Sequence, residues 1–336
     1  MDDDERKKDE AVRKVVDDKN LKISRGNRKR FASTEFGHVL GEGPTPYHLL
    51  GIDFILSRLM GIERYLEEPR NYQSTSKIDF KKIDLQQALY FPRSLAPVID
   101  DFNDERTLIS ESTIATMWFR LVSQYFEWIA GVSELCYLDE KDKIQVIVSH
   151  LCKVICFNVA YTNYQINNGG EDRERFWFGR GFYWDSARCV DPNMNKFAEK
   201  MLKVMNFNIL PNIRRTQMKK EEFVMLKLVL LFDVSHTVKL SAQSREFCAS
   251  RRNKYRTHLV DYIRSQVPIE SPELSLADID SVTLKRARLL LEIPQNVEMM
   301  GEFDDESLAE MVRTDYGGMN GVLQNQIHTE SKKKSE

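Results

Sequence analysis

The chain has 336 residues, a formal net charge of −2, and 42% hydrophobic and 30% charged residues, the balance of a water-soluble globular protein. A molecule this close to neutral has no overall electrostatic pull toward nucleic acid or an anionic membrane, so any such attraction needs a local patch. The length is long for one domain and short for two full ones once tails are allowed for.

Residues 1–31 are mostly charged and carry few large apolar side chains, which predicts a tail that cannot bury enough surface to order itself. The tail ends in a small basic cluster, Arg25 to Arg30, readable as solvated tail or as a nuclear import or phosphate-contacting arm. Residues 32–46, with Gly41, Gly43, Pro44 and Pro46, read as linker. A first helix is expected from Tyr47 to Leu66, where Ile52, Ile55, Leu59, Ile62 and Leu66 alternate three- and four-residue steps along one face. Residues 68–109 read as loop, with Pro92 and Pro97 limiting regular structure.

Helical pattern resumes near Ser110. Trp118, Leu121, Val122, Tyr125, Ile129 and Val132 fall on one face of an amphipathic helix. A short acidic break follows at Leu138 to Lys143, in which Asp139, Glu140 and Asp142 read as N-cap and first-turn acids. Ile144 to Tyr161 has too few charges for a surface helix. The order of amphipathic helix, polar hinge and buried helix predicts a layered helical domain whose central helix is covered on both sides. Asn167 to Gly170 marks a turn, and Phe176 to Trp184, aromatics around two glycines, reads as a small hairpin. Further helices are expected at Met194–Phe207, Glu221–Phe232, Ser244–Gln266 with a break at Pro268, and Ser281–Thr314 with a kink or interruption at Pro294. Asp315 to Gln324 reads as a loop followed at most by a short helix, and Lys332 to Glu336 as polar tail.

Catalytic and metal motifs are missing from the sequence. The histidines (38, 48, 150, 236, 258, 328) are scattered without metal-site spacing, and there is no phosphate loop, nucleotide fingerprint or nucleophile elbow. Gly179-Arg-Gly181 sits in the hairpin, not at a helix start, so it cannot cradle phosphate. The odd number of cysteines, with no Cys-x-x-Cys pair, reads as reduced core thiols. His150, inside an apolar run, reads as a satisfied core histidine. The N-terminus has no apolar core of a signal peptide, and the densest apolar stretch, Phe223 to Phe232, falls short of the roughly 20 residues that span a bilayer. These features predict an intracellular, non-enzymatic protein with no cofactor and no metal.

Three motifs in order resemble the ligand-binding domain of nuclear hormone receptors, in its divergent nematode form. The first is Trp128-Ile-Ala130 followed by Leu138-Asp139 to Ile144. The second is Glu222 through Leu226-Lys227 to Phe232-Asp233, then Leu240-Ser241, Tyr255 and Leu259. The third is Leu290-Leu-Glu-Ile-Pro294. Together they cover about residues 110–314, and the helix at 47–66 fits the family's first.

The resemblance implies an all-α, three-layer antiparallel helical sandwich with one small β-hairpin. It implies a charged tail and linker over 1–46, a ligand-binding domain over 47–328, and a disordered tail over 329–336. It also implies a nuclear location, with cytoplasm as the alternative, and a role in transcription. An apolar pocket is expected among Trp118, Leu121, Val122, Tyr125, Val154, Asn158, Phe182 and Tyr183. A coregulator groove is expected at Ala130, Lys143, Val146 and Ile147, and a dimer surface at Tyr255, Leu259, Arg288 and Leu291.

The chain departs from the family in three places. Ala130 stands where a clamp lysine belongs, no glutamate stands near Val322 to Asn325, and the family's arginine after the Leu-Leu-x-x-Pro motif falls near Val297. The family's zinc-ligating cysteines are also missing, so no direct DNA binding is expected from this chain alone, and none to membrane. The implied partners are a small lipophilic ligand, a receptor-type dimer partner and coregulators. The alternatives are a ligand-independent dimerising module and an unrelated all-α scaffold or enzyme.

Overall fold

In a computed structural model, residues 47–67, 80–92, 107–167, 174–179, 181–298 and 308–332 are described. The tail and linker expected over 1–46, the basic cluster within them, and the end of the chain from 333 lie outside these residues.

Helix α1 runs over Tyr47–Glu67. A short helix α2, Leu85–Tyr90, follows one 3₁₀ turn at Phe80–Lys82, inside the stretch expected to be loop. Strand β1 is Thr107–Leu108, and helix α3 is Glu111–Gly131. A 3₁₀ turn at Ser133–Tyr137 leads to the long helix α4, Glu140–Ile166. The acidic break proves to be the start of α4. Asp139 is its N-cap and accepts from the Asp142 backbone N–H, while Glu140 and Asp142 supply first-turn charge that complements the helix dipole.

Strands β2 (Arg175–Trp177) and β3 (Phe182–Asp185) form the expected hairpin, with Trp177 opposite Tyr183. β1 adds to it in parallel, Thr107 opposite Phe182, so the sheet is three-stranded in the order β1-β3-β2. After it come α5 (Pro192–Val204), a π-helical turn at Met205–Ile209, α6 (Leu210–Thr216) and α7 (Lys220–Leu231). The last helices are α8 (Ala242–Glu270), α9 (Leu276–Glu298), α10 (Ala309–Arg313) and α11 (Val322–Lys332). Pro268 and Pro294 lie inside α8 and α9, in their last turns, without ending them. α11 reaches Lys332, into the stretch expected to be disordered.

The centre of the molecule is α4. It packs against α3, α6, α7, α9 and α11, so it is enclosed from several directions, as the scarcity of charge from Ile144 to Tyr161 requires. By length and composition α4 could cross a membrane. However, 78% of its most apolar window is buried inside the domain, which marks it as a core helix. Tyr125 of α3 donates its hydroxyl to the Ile147 carbonyl of α4 at 2.6 Å. Asn163 at the far end of α4 bridges to β2, donating to the Trp177 carbonyl at 2.8 Å and accepting from its N–H at 2.9 Å. His150 is buried, with Nδ1 2.9 Å from the Val146 carbonyl and Nε2 3.2 Å from the Asp233 carbonyl, a satisfied core side chain.

Candidate functional site

A residual cavity of about 10 Å³ lies between α3, α4, the sheet and α5. That is roughly the space one water occupies. Its walls are Met117, Trp118 and Leu121 from α3, Cys152, Ile155, Cys156 and Val159 from α4, Phe178 after β2, Phe197 and Met201 from α5, and Leu308. The α4 residues follow i, i+3, i+4, i+7 spacing and form one face.

Of the residues expected to line a pocket, Trp118 and Leu121 are on this wall. Val122, Tyr125 and Val154 are fully buried core, and Phe182 and Tyr183 are buried in the sheet. Asn158 is half-buried, and its Oδ1 has no hydrogen-bond partner. Val154 and Asn158 sit about 100° round the helix from the lining face, one residue away from Ile155 and Val159. The α4 lining residues could have been found by applying helical spacing to the cysteines. Phe197, Met201 and Leu308 come from elements distant in sequence, and no local signal marks them.

The second candidate region is the face formed by α3, α4 and α11. Ala130 is exposed and Lys143 half-buried there. Val146 and Ile147, expected as groove side chains, are instead completely buried. An apolar run on a central helix faces the core, so neither side chain is open at the surface. The segment 80–92 lies over this part of the molecule. α2 packs against α3 and α11. The Leu85 N–H donates to Gln326 Oε1 of α11 at 2.7 Å, the Tyr90 hydroxyl to Glu140 at 3.2 Å, and the Ser123 hydroxyl of α3 to the Pro92 carbonyl at 2.8 Å. Leu323, Gln324 and Ile327 turn α11 inward. Gln324 is 0% exposed, and neither atom of its amide has a hydrogen-bond partner. A buried unpaired polar group costs about 1–3 kcal/mol.

The remaining charged chemistry is structural. Lys227 of α7, 1% exposed at the side chain, pairs with Glu63 of α1 at 2.8 Å and lies 4.5 Å from the centre of the Trp128 ring. Arg58 of α1 donates to Ser133 at 2.7 Å and to Glu134 at 2.9 Å, and the Tyr255 hydroxyl of α8 donates to the same carboxylate. Burial alone pushes the Glu134 carboxyl up, but the Tyr255 hydroxyl and the Arg58 guanidinium outweigh it and hold the group below the usual carboxylate range. Glu222 takes both arms of Arg286, at 2.6 and 2.8 Å. Its partner therefore lies before the Leu-Leu-x-x-Pro motif and not near Val297.

Tyr255 and Leu259, expected on a dimer surface, face inward and are buried, because Tyr255 is tied to Glu134 and stacks on Phe232. Arg288 is exposed and Leu291 half-buried on α9, next to the exposed Leu284. Among the described residues no group of three or more His, Cys, Asp or Glu side chains is placed to hold a metal.

The helical sandwich with its small three-stranded sheet is the architecture that the resemblance implied. The family model of the ligand-binding domain of nuclear hormone receptors matches residues 102–281. A match over more than half the chain places it plainly: the protein belongs to that family. It is also similar to nuclear hormone receptor family member nhr-100 of Caenorhabditis elegans, at 22% identity over 226 residues, 66% of this chain and 48% of that protein. The chain thus spans about half the length of this curated relative. The family's members are in general nuclear transcription regulators and not enzymes.

Proposed function

We propose that the chain is the regulatory part of a nuclear-receptor-type transcription regulator, with residues 47–328 as its receptor-type domain, acting in the nucleus through protein contacts and not through a ligand held in its interior. Close packing between α3, α4 and α5 among the described residues supports this reading. A cavity of about 10 Å³ is far below the roughly 300–1,000 Å³ of drug-sized ligand sites. Trp118, Phe178, Phe197 and two methionines occupy the space a ligand would need. The surface offered in its place is the outer face of α9, where Leu284 is 64% exposed beside Arg288 and Leu291. It suits pairing with a second receptor-type domain.

One observation favours a second reading, binding of a small lipophilic ligand. Trp118 lines the cavity with apolar atoms, and its indole N–H is buried without an acceptor; a ligand that reshaped the wall could bring an oxygen to it.

Thermal unfolding with a panel of fatty acids and sterols separates the two readings, because a ligand that binds only the native state raises the midpoint. The expected result is no rise for the native chain. A rise with any one lipid favours the second reading. In parallel, sedimentation is expected to show association that Leu284→Glu abolishes. A chain that remains monomeric and binds no receptor-type partner would falsify the pairing.

A further inference from the structure

We infer that the outer face of α5 and α6 is a docking surface for an anionic lipid bilayer, with a stripe of lysines and an arginine on the headgroups and the Phe207 ring among them in the apolar layer. A net charge of −2 gives the whole molecule no attraction to such a surface, and this stripe is the local patch that supplies one.

Between Pro192 and Thr216 the chain has five basic residues, Lys196, Lys200, Lys203, Arg214 and Arg215, and one acid, Glu199. α5 buries Met194, Phe197, Ala198 and Met201. Lys196, Lys200, Lys203 and Phe207 fall on the opposite side at i, i+4, i+7 and i+11, so they make one line along the helix. Lys196 and Lys203 are exposed and Lys200 is half-buried. Glu199 stands about 60° to the side of the line. Pro211 and Arg215, both exposed, continue it at steps of four. On an α-helix each such step drifts by about 40°. The wider i→i+5 winding of the π turn at Met205–Ile209 takes up that drift. By helical rise the line from Lys196 to Arg215 is roughly 28 Å long.

The π turn sets Phe207 in this line. Pro211 lacks the N–H that the Phe207 carbonyl would accept in an α-helix, and its ring crowds that carbonyl. The Leu210 N–H donates to the Met205 carbonyl, five residues back. The turn leaves the Asn206 Oδ1 buried without a partner and the Phe207 ring 74% exposed. A single exposed apolar side chain is ordinary on a protein surface. One set in a line of cations, on a turn that strands a buried amide oxygen, gains nothing from packing inside the domain. An anionic bilayer meets both halves of the stripe at once. Its negative headgroups attract clustered lysine and arginine, and the apolar boundary beneath them takes an aromatic ring. Lysines are flexible point charges without a fixed fork, so they suit a fluid array of headgroups better than one placed anion. A nucleic-acid backbone has the charge without the apolar layer and would leave Phe207 in water.

The test is co-sedimentation of the full chain with vesicles of phosphatidylcholine alone and of equal parts phosphatidylcholine and phosphatidylserine. The native chain is expected to bind the mixed vesicles and not the neutral ones, and to bind more weakly as salt is raised. Lys196→Glu together with Lys203→Glu, both at exposed positions, should weaken binding at least ~10-fold. Phe207→Ser should weaken it several-fold while leaving the melting midpoint in place. Phe207→Trp reads insertion directly. Trp118, Trp128, Trp177 and Trp184 are buried, so a blue shift of emission on adding mixed vesicles reports the new side chain. Three results each overturn the inference: no binding to mixed vesicles, binding that the paired lysine reversal leaves intact, or an emission that the vesicles leave unshifted. Capture of the chain by duplex DNA through the same lysines, with mixed vesicles leaving it in solution, overturns it as well.

Discussion

The end of the molecule where α1, α7, α8 and α9 meet contrasts with the end where α2, α3 and α11 meet. At the first, long helices bury charge and match it. Lys227 finds Glu63, Glu222 takes both arms of Arg286, and Glu134 collects Arg58 and Tyr255. At the second, a short helix lies under exposed bonds, and α11 buries an amide with no partner. The first set of contacts fixes one arrangement, because removing Lys227 or Arg286 strands a buried carboxylate. The second set includes exposed bonds, such as Tyr90 to Glu140, that strand little when broken. The domain thus joins a charge-matched frame to a face with more exposed contacts, and local stability need not be uniform across one core.

The comparison can be broken at its strongest point first. Lys227→Met leaves Glu63 buried without its cation and is expected to cost about 3–5 kcal/mol in denaturant unfolding. Adding Glu63→Leu should recover most of that loss. If the single variant is neutral, the frame does not rest on matched charge. Arg286→Ala strips both bonds from Glu222 and should cost about 2–3 kcal/mol, with Arg286→Lys losing less because it keeps the charge but not the fork.

Gln324→Leu tests the other end with the opposite sign. Removing an unpaired buried amide should stabilise the chain by about 1–2 kcal/mol and raise its midpoint. A loss of stability there would show that the seat of α11 is better satisfied than its bonding suggests.

The smallest effect concerns pH. Because the Glu134 carboxyl is held below its ordinary value, its contribution is complete above the usual glutamate range, near ~4.3. It is lost as pH falls through the lowered value. Tyr255→Phe removes one of the bonds that lower it, so the loss of stability in acid should be smaller and should be complete at a higher pH. Melting curves between about pH 6 and pH 3 would show this.

How far these regions were legible in the sequence follows from the same physics. α3 and α4 are plain because their apolar spacing and low charge run for many residues, and Asp139 announces the start of α4. The hairpin is plain because aromatics flank two glycines. β1 is only Thr107–Leu108 and has no pattern to read. α2 went unseen because Leu85, Ala88 and Leu89 make a single turn's worth of signal beside Pro92. Inward and outward faces were confused on α8 because Tyr255 and Leu259 share a stripe that periodicity finds but cannot orient. The family resemblance gave the layer order, and it also drew attention to Val297, when the cation opposite Glu222 stands at Arg286. The walls of the cavity were half legible, since spacing identifies a face of α4 but cannot say that Phe197 and Met201 arrive to fill it.

The cysteines make the closed interior measurable. Cys136 is exposed, whereas Cys152 and Cys156 are buried thiols in the cavity wall. A small alkylating reagent should label the first at once, and the other two only during the moments when α3 and α4 part. The lag between them is a clock for how often the domain breathes, and it can be read by peptide mass without a ligand or a partner.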